Sequence, residues 1–378
     1  MVLPVKKIEI NEQFKLALNI LENTSKNVLI TGRAGTGKST LLNYFVDNTK
    51  KNVVVLAPTG VAALNVKGQT IHSFFGFKPT ITLDNVKKIY GMNVDIYKAL
   101  NTIIIDEISM VRADLLDCVD RFLRLNGKNK NEPFGGIQMI FIGDLYQLPP
   151  VVKGNEKIIF KTHYKSPYFF DAYVFAKFKI ELIELEKIYR QTDKNFINIL
   201  NAIRNKSVTP GDLRELNARL NPNFEPSSDD FFIYLTTTNK LSDEINNKEL
   251  GRLDSKLNVF DGKITGDFDK SYLPTSEELQ IKEGSQVMLL NNDLNDRWVN
   301  GTVGKVVSVD RKNHVIKVKL SEGNIVDVGK HKWDLSRFTY NTGLHRLESE
   351  IMGSFTQYPI RLDWAVTIHK GQGKTFER

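Results

Sequence analysis

Short, uninterrupted apolar runs alternate with amphipathic segments over the first half of the chain. Each run is rich in β-branched residues and is typical of a strand buried on both faces of a parallel sheet. The runs that predict strands cover residues 28–31, 53–57, 102–106 and 139–143. Residues 111–125 instead place apolar side chains three and four positions apart, which predicts a helix packed on that sheet. The alternation indicates an α/β fold with a doubly wound, mainly parallel sheet that binds ligands at the carboxyl ends of its strands.

A second α/β pattern begins near Lys179, and a region of different texture interrupts it. Its predicted elements are strands at 231–236, 286–290 and 362–368 and helices at 195–204 and 241–247. Short predicted strands at 303–309, 315–320 and 325–328, separated by polar turns, predict a small β-barrel at 301–357. The predicted domains are a first core at 1–178 with an irregular insertion at about 77–99, a second core at 179–300 and 358–378, and the barrel inserted at 301–357.

Composition and charge narrow the class of protein. The 378 residues are 41% hydrophobic and 25% charged, as in ordinary globular proteins. No apolar run reaches the length of about 18 residues that a membrane span needs. The first residues lack the apolar stretch of a secretory signal. The chain has a single cysteine, Cys118, which excludes an intramolecular disulfide. The net charge of +8 favours a polyanionic partner such as nucleic acid. We expect no membrane association, and a cytoplasmic, nucleoid-associated location if the source is bacterial or phage.

Residues 32–39 form the first candidate site. They read Gly-Arg-Ala-Gly-Thr-Gly-Lys-Ser between a predicted strand and a predicted helix, the context that a phosphate-binding G-x-x-x-x-G-K-[ST] loop requires. Glycines let backbone N–H groups approach phosphate oxygens, and the helix adds the positive end of its dipole. We expect Lys38 to reach the β- and γ-phosphates of a nucleotide and the Ser39 hydroxyl to bind Mg²⁺.

Two acidic residues end the strand predicted at 102–106. Asp106 can hold Mg²⁺ through water, and Glu107 can orient and deprotonate an attacking water. Glu107 taken alone could equally be an acidic residue at a helix N-terminus. Its pairing with a phosphate-binding loop favours the catalytic interpretation.

Two further polar residues lie near the predicted boundary between the cores. Gln147, in Gly-Asp-Leu-Tyr-Gln-Leu-Pro-Pro at 143–150, can place an amide near a γ-phosphate; a simple proline-terminated loop is the alternative. Arg190, in Tyr-Arg-Gln at 189–191, is either a surface arginine or a cation that stabilises γ-phosphoryl transfer.

Residues 70–76, Thr-Ile-His-Ser-Phe-Phe-Gly, combine small donors with aromatic rings and suit contact with a nucleic-acid single strand. The alternatives are that His72 is a buried histidine and that at least one of Phe74 and Phe75 belongs to the hydrophobic core. No spacing of His, Cys and Asp predicts a bound transition metal.

These motifs occur in the order found in one helicase family. From about residue 10 to its end, the sequence resembles the petite-integration-frequency (PIF-type) DNA helicases of superfamily 1, group B. The neighbouring RecD-like and Dda-like helicases match residues 57–77 and 143–151 less closely. The segments that carry the resemblance are 11–14, 32–39, 57–63, 70–73, 106–110, 143–151, 189–191, 297–302 and 367–373.

The resemblance implies a fold and an activity. It implies two RecA-like P-loop cores with parallel sheets, the β-barrel as an auxiliary domain, and residues 77–99 as a strand-separating wedge. It implies an ATP-dependent DNA helicase that uses ATP and Mg²⁺, translocates 5′-to-3′ on single-stranded DNA and unwinds duplex or structured DNA. The expected partners are single-stranded DNA and junctions of single and double strands, with the protein a monomer.

The resemblance also assigns site residues. Gln13 would contact adenine, and Gln147 and Arg190 would sense and stabilise the γ-phosphate. Asp106 would bind the metal, and Glu107 would act on the attacking water. The other nucleotide-binding positions would be Gly32, Gly35, Thr36, Gly37, Lys38, Ser39, Thr40 and Gly373. Positions near the DNA strand would be Thr59, Gly60, His72, Phe75, Thr237, Asn239, Thr367 and His369.

The sequence departs from the family pattern at two places. Residues 370–372 read Lys-Gly-Gln where the family usually has serine in the middle, and the family's later Tyr-Val-Ala-Leu-Ser-Arg motif is not found before Arg378. We therefore expect either a truncated form or the loss of that element. A nucleotide-gated single-stranded-DNA-binding module with little unwinding is the alternative function, and a small-molecule P-loop kinase is a third.

Overall fold

The computed structural model of the chain divides into two compact units. Unit 1 comprises Met1–Asn205 and Ser336–Ile351, and unit 2 comprises Lys206–Leu335 and Met352–Arg378. The structure describes residues 11–33, 35–91, 94–152, 154–187, 194–224, 226, 230–341, 343–344 and 346–371, without the side chains of residues 155, 158, 159, 194, 271 and 369.

Unit 1 is built on a six-stranded parallel sheet. Its strands are β1 (Val28–Gly32), β2 (Val53–Ala57), β3 (Gln69–Thr70), β4 (Thr102–Ile105), β5 (Gln138–Ile142) and β6 (Glu181–Leu185). They lie in the order β3-β2-β4-β5-β1-β6, and every neighbouring pair is parallel. The four strands predicted from apolar runs are β1, β2, β4 and β5, and each is confirmed within a residue or two.

Helices cover both faces of this sheet. Each buried strand points apolar side chains alternately to the two faces, so a hydrophobic core forms on each face. On β4, Ile103 and Ile105 face one core and Ile104 faces the other. The helices are α1 (Glu12–Asn23), α2 (Lys38–Asn48), α3 (Gly60–Asn65), α4 (Ile71–Phe75), α5 (Asp95–Ala99), α6 (Ala113–Asn126), α7 (Lys157–His163) and α8 (Lys194–Arg204). The predicted amphipathic helix at 111–125 is α6, whose apolar residues fill one core.

The predicted boundary at residue 178 is too early. Strand β6 pairs in parallel register with β1, with Val28 opposite Glu181 and Gly32 opposite Leu185, so it completes the first sheet. Helix α8 also belongs to unit 1, which ends at Asn205 before it resumes at Ser336–Ile351. The segment that we assigned to the start of the second core is therefore part of the first.

Two further segments also pack within unit 1. Residues 77–91 and 94–99 contribute Val86, Ile96 and Tyr97 to the core of α6. The segment Ser336–Ile351 places Phe338 against Phe74, with 6.4 Å between ring centroids.

Unit 2 is mainly antiparallel in its described part. The strands that lie wholly in unit 2 are β7 (Tyr234–Thr236), β8 (Asn258–Asp261), β9 (Lys263–Gly266), β10 (Glu278–Ile281), β11 (Gln286–Leu289), β12 (Val303–Asp310), β13 (Val315–Leu320), β14 (Ile325–Val328), β17 (Ile360–Leu362) and β18 (Ala365–Thr367). Strand β15 (His331–Asn341) begins in unit 2 and strand β16 (Arg346–Gln357) ends in it, and both include residues of the unit 1 segment Ser336–Ile351. The antiparallel sheets have the orders β14-β13-β12-β11-β17, β15-β16-β9 and β10-β8. The predicted strands at 303–309, 315–320 and 325–328 are confirmed, and their closure into a barrel stays a prediction.

The remaining part of unit 2 combines a parallel strand pair with helices. Strands β7 and β18 form a parallel pair, with Thr236 opposite Thr367. The helices of unit 2 are α9 (Pro210–Asn217), α10 (Asn239–Arg252) and α11 (Ile368–Gly371). Asn246 of α10 is buried and its side chain binds the backbone of Ala365, which fixes the helix on the strand pair. In the described ranges of both units, no helix is long and apolar enough to cross a membrane.

Candidate nucleotide-binding site

The loop between β1 and α2 has the backbone of a phosphate-binding loop. Gly32 has φ 151° and Gly37 has φ 89°, values that side chains rarely adopt. A Cβ atom on Gly32 would also lie 2.5 Å from the carbonyl oxygen of Leu185 and 2.8 Å from Thr36 Oγ1. Thr36 is buried, and its hydroxyl donates to the carbonyl of Arg33 at 2.9 Å. The tight packing explains why glycine and a small hydroxyl residue occupy these positions.

Lys38 begins α2 and turns its ammonium group back over the loop. Its Nζ donates to the carbonyl oxygens of Gly32 at 2.7 Å and Arg33 at 3.0 Å. Burial lowers the pKa of Lys38, and the nearby carboxylates of Asp144 and Glu107 oppose that shift. A desolvated cation at this point is suited to phosphate oxygens.

The other predicted nucleotide-binding residues of unit 1 surround this loop. Gly35 has φ 80°, and the side chains of Ser39 and Thr40 are exposed in the first turn of α2. Gln13 lies on α1, and its Oε1 accepts a hydrogen bond from the backbone N–H of Glu186 at 3.1 Å.

Asp106 and Glu107 stand at the carboxyl end of β4, as predicted from the sequence. Glu107 has φ 51° and ψ 43°, a left-handed conformation that costs energy for a residue other than glycine. Burial, with a further contribution from Asp106, raises the pKa of Glu107 to about 7. Burial also raises the pKa of Asp106. A carboxylate whose proton affinity is raised is suited to accept a proton from water.

The oxygen donors fit Mg²⁺. Within the described part of the chain, no three His, Cys, Asp or Glu side chains form a group that could hold a metal ion by themselves. Mg²⁺ in phosphate sites typically uses one or two protein oxygens and completes its shell with water and phosphate. The Ser39 hydroxyl and the Asp106 carboxylate are the residues that would hold it.

Sequence reasoning missed two residues next to this site. Asp144, which directly follows Gly143 after β5, is 4% exposed in its side chain and pairs with Arg204 of α8. Gln147 donates from Nε2 to Asp144 Oδ2 at 3.1 Å. The Gly-Asp dipeptide before Gln147 was a usable signal for Asp144. Arg204 lies 60 residues from Asp144 along the chain, and no pattern in the sequence marked it.

The structure describes only some of the predicted DNA positions of unit 1. Thr59 is exposed and caps α3 by accepting from the N–H of Ala62, and Gly60 follows it. His72 is partly buried on α4; burial and the charge of Arg112 lower its pKa. Both Thr59 and His72 lie just beyond the carboxyl ends of adjacent parallel strands, β2 and β3.

Phe75 does not fit its predicted role in stacking on DNA. It is 4% exposed, and its ring lies 5.2 Å from that of Phe122 and 5.3 Å from that of Phe77. Tyr97 contacts it as well, with 6.1 Å between ring centroids. The core alternative is therefore correct, because the apolar face of α4 packs on α6.

Replacing Phe75 with alanine is expected to lower the free energy of unfolding by about 3–5 kcal/mol, the usual cost of a large core cavity. Tyr90, which is 84% exposed, is the control, and Tyr90→Ala should change stability by about 0.5 kcal/mol or less. Urea unfolding of both variants checks this. Unchanged stability of Phe75→Ala together with lost DNA affinity would restore the stacking role.

In unit 2, the described DNA positions meet at one edge. Thr237 and Asn239 are exposed and follow β7, and Thr367 ends the neighbouring strand β18. Thr367 is 4% exposed, and its hydroxyl accepts from the N–H of Lys370 at 3.4 Å, so it stabilises the start of α11. The other three predictions, Arg190, Gly373 and the side chain of His369, lie outside the described residues.

Comparison with known proteins identifies the family. The sequence model of the family described as PIF1-like helicase matches residues 9–212, more than half of the chain. The chain belongs to the PIF1-like helicases. The ATP-dependent DNA helicase Pif1 of Bdellovibrio bacteriovorus is 30% identical over 386 residues, 99% of this chain and 82% of its own length. The ATP-dependent DNA helicase PIF1 of Danio rerio is 34% identical over 392 residues and is matched over 57% of its length.

Solved PIF1-like structures share the fold. Pif1 from Bacteroides sp in complex with ADP-AlF4 has a TM-score of 0.90 and 37% sequence identity, over 98% of this chain and 86% of that one. Bacteroides Pif1 bound to single-stranded DNA has a TM-score of 0.64 and 36% identity, over 98% and 85%. This PIF1-like chain thus covers most of the bacterial relatives and little more than half of the Danio rerio protein.

Proposed function

We propose that this chain is an ATP-dependent DNA helicase that couples ATP hydrolysis to 5′-to-3′ movement along single-stranded DNA. One observation carries the proposal: three features converge on one edge of the first sheet. They are a phosphate-binding loop, a partly buried carboxylate with a raised pKa and a glutamine on a fixed loop. Family membership supports it, since the bacterial relative covered at 82% is named an ATP-dependent DNA helicase.

Each residue of the site has a proposed step. Lys38 and the backbone N–H groups of the loop bind the β- and γ-phosphates. Ser39 and Asp106 would hold Mg²⁺, which would neutralise charge on the phosphate oxygens. Glu107 takes the proton of the attacking water, and Gln147 orients the water or the γ-phosphate. Gln13 contacts the base, and Arg190 and Gly373 keep the nucleotide roles that the family resemblance implies.

Single-stranded DNA is the proposed partner. The Bacteroides relative has been solved with it, and the exposed Thr59, Thr237 and Asn239 follow parallel strands in their units. The segment at 77–99 is proposed to separate strands at a junction, because it exposes Tyr90, whose ring Lys88 approaches to 5.8 Å. An aromatic ring beside a cation suits stacking on a terminal base pair.

One experiment tests the helicase proposal. ATP hydrolysis is measured with and without single-stranded DNA, and unwinding is measured on duplexes with a 5′ or a 3′ tail. We expect DNA-stimulated hydrolysis and unwinding of the 5′-tailed duplex. Stimulated hydrolysis without unwinding of either duplex would favour the nucleotide-gated binding module, and hydrolysis indifferent to DNA would contradict both.

Affinity for single-stranded DNA is expected to depend strongly on salt. The net charge of +8 motivates this, because a cation that contacts a phosphate releases a condensed counterion. With about four phosphate contacts, the slope of log K on log salt is about −2.8, which gives about a 50-fold loss of affinity from 50 to 200 mM salt. Fluorescence anisotropy of a labelled oligonucleotide measures it, with a blunt duplex as the control. Equal, salt-independent affinity for both DNAs would contradict the prediction.

A further inference from the structure

The carboxylate of Asp144 organises the loop that follows β5. Its Oδ1 accepts from the backbone N–H of Tyr146 at 3.1 Å, and its Oδ2 accepts from Gln147 Nε2 at 3.1 Å. Its own carbonyl oxygen accepts from the backbone N–H of Gln147 at 3.0 Å. One residue therefore fixes both the backbone and the side-chain amide of Gln147.

A buried carboxylate of this kind needs a cation. Asp144 is 4% exposed in its side chain, and a buried ionised carboxylate without a counter-charge is strongly unfavourable. Arg204 supplies the charge: its Nη1 lies 3.0 Å from one carboxylate oxygen and 3.1 Å from the other. The guanidinium is itself largely enclosed, with a side chain 14% exposed.

Arg204 is held from a second direction by the same loop. The ring of Tyr146 lies against its guanidinium, with 4.0 Å between Cζ and the ring centroid. Tyr146 is 64% exposed, so the ring covers the ion pair rather than filling a core. Arg204 is the last residue of α8, where the helix dipole also favours a cation.

We infer that Arg204 is a positioning residue for ATP hydrolysis, which acts by holding Asp144 so that the Gln147 amide is fixed toward the nucleotide. The inference rests on the proposed function. The Asp144–Arg204 ion pair also connects α8, which follows the segment that contains Arg190, to the loop that contains Gln147. In this role, Arg204 affects the rate of hydrolysis through Gln147 and not by direct contact with the nucleotide or the attacking water.

The main test separates positioning from a purely structural role. Arg204→Ala is expected to lower the DNA-stimulated kcat by about 10- to 100-fold, with KM for ATP and the Kd of a fluorescent ADP within about threefold, because the lost interaction matters in the transition state. Arg124→Ala is the matched control: Arg124 pairs with the partly buried Asp120 at 2.8 Å on α6. It should lose comparable stability and keep kcat.

A double-mutant cycle shows whether Arg204 acts through Gln147. If it does, Arg204→Ala in a Gln147→Ala background should lower kcat by about twofold or less, because the residue it positions is already gone. Arg204→Lys should lower kcat less than Arg204→Ala does, because one nitrogen makes both contacts to Asp144 and an ammonium keeps that charge, although it loses the planar contact with the Tyr146 ring. Arg204→Gln, which removes the charge and keeps a polar side chain, replaces Arg204→Ala in the cycle if Arg204→Ala does not fold.

The outcomes separate the inference from the proposed function. If Arg204→Ala still lowered kcat by the full 10- to 100-fold in the Gln147→Ala background, or if Arg204→Ala weakened ADP binding, the positioning role would be overturned. A parent-like kcat for Arg204→Ala overturns the inference while the helicase proposal stands. Absence of ATP hydrolysis by the unmodified chain overturns the proposed function and the inference with it.

Discussion

Replacing Glu107 with glutamine is expected to lower DNA-stimulated ATP hydrolysis by about 10²–10⁴-fold, the range that general base catalysis contributes. The Kd for ATP should stay close to that of the parent chain, because glutamine keeps the shape of the side chain and removes only its basicity. Single-turnover hydrolysis and binding of a fluorescent ATP analogue are the two measurements. The variant should hold ATP without turning it over.

The structure gives the reason for this large effect. Glu107 is held in a left-handed backbone conformation at the end of β4, beside Asp106. Burial and the neighbouring carboxylate raise the pKa of Glu107 to about 7, well above that of an ordinary glutamate. Such a group binds a proton more tightly than an exposed glutamate and is suited to take one from water.

Glu132→Gln is the control, since Glu132 is an exposed glutamate whose loss removes the same charge. It should leave the rate of hydrolysis unchanged. If Glu107→Gln turned over at the parent rate, another group would be the base and Glu107 would have only a structural role at the end of β4.

Replacing Lys38 with alanine is expected to abolish hydrolysis by a different route, through lost nucleotide binding. Loss of one partner of an enclosed charge pair typically costs about 2–5 kcal/mol, which is at least about 30-fold in Kd. In the structure, Lys38 Nζ is folded over the carbonyl oxygens of Gly32 and Arg33, inside the loop that would surround the phosphates. Isothermal titration with ADP and ATP measures the loss.

Lys50→Ala is the matched control for Lys38→Ala, because Lys50 is an exposed lysine just after α2 and its removal changes the net charge equally. It should bind nucleotide as the parent does. Parent-like affinity of Lys38→Ala for both nucleotides would exclude the phosphate-binding role of the lysine. Weakened ATP binding with normal ADP binding would restrict that role to the γ-phosphate.

The sequence by itself determined the elements of the first sheet and the core of its site. Strands β1, β2, β4 and β5 were predicted because a strand buried on both faces must be apolar over its whole length, and that pattern is local. The phosphate-binding loop and the acids after β4 were predicted for a similar reason. Their chemistry requires particular residue types at fixed short spacings, directly after a strand.

Tertiary structure alone decided which elements belong together. Strand β6 looked like the start of a second core, yet it pairs with β1 across about 150 residues of chain, and its own periodicity carries no sign of that partner. Phe75 suited stacking on DNA by residue type, and only the packing of α4 on α6 placed it among other aromatic rings. Periodicity predicts a face, whereas the partner of that face depends on the whole fold.

The same distinction separates the residues that were found at the site from those that were missed. Lys38 and Glu107 belong to contiguous motifs, so the sequence determined them. Arg204 reaches Asp144 from the end of a helix 60 residues further along the chain, and a lone arginine on an amphipathic helix has no local pattern that marks it. Two charges from distant segments form an ion pair only when the fold brings them together, so only the tertiary structure could reveal this one.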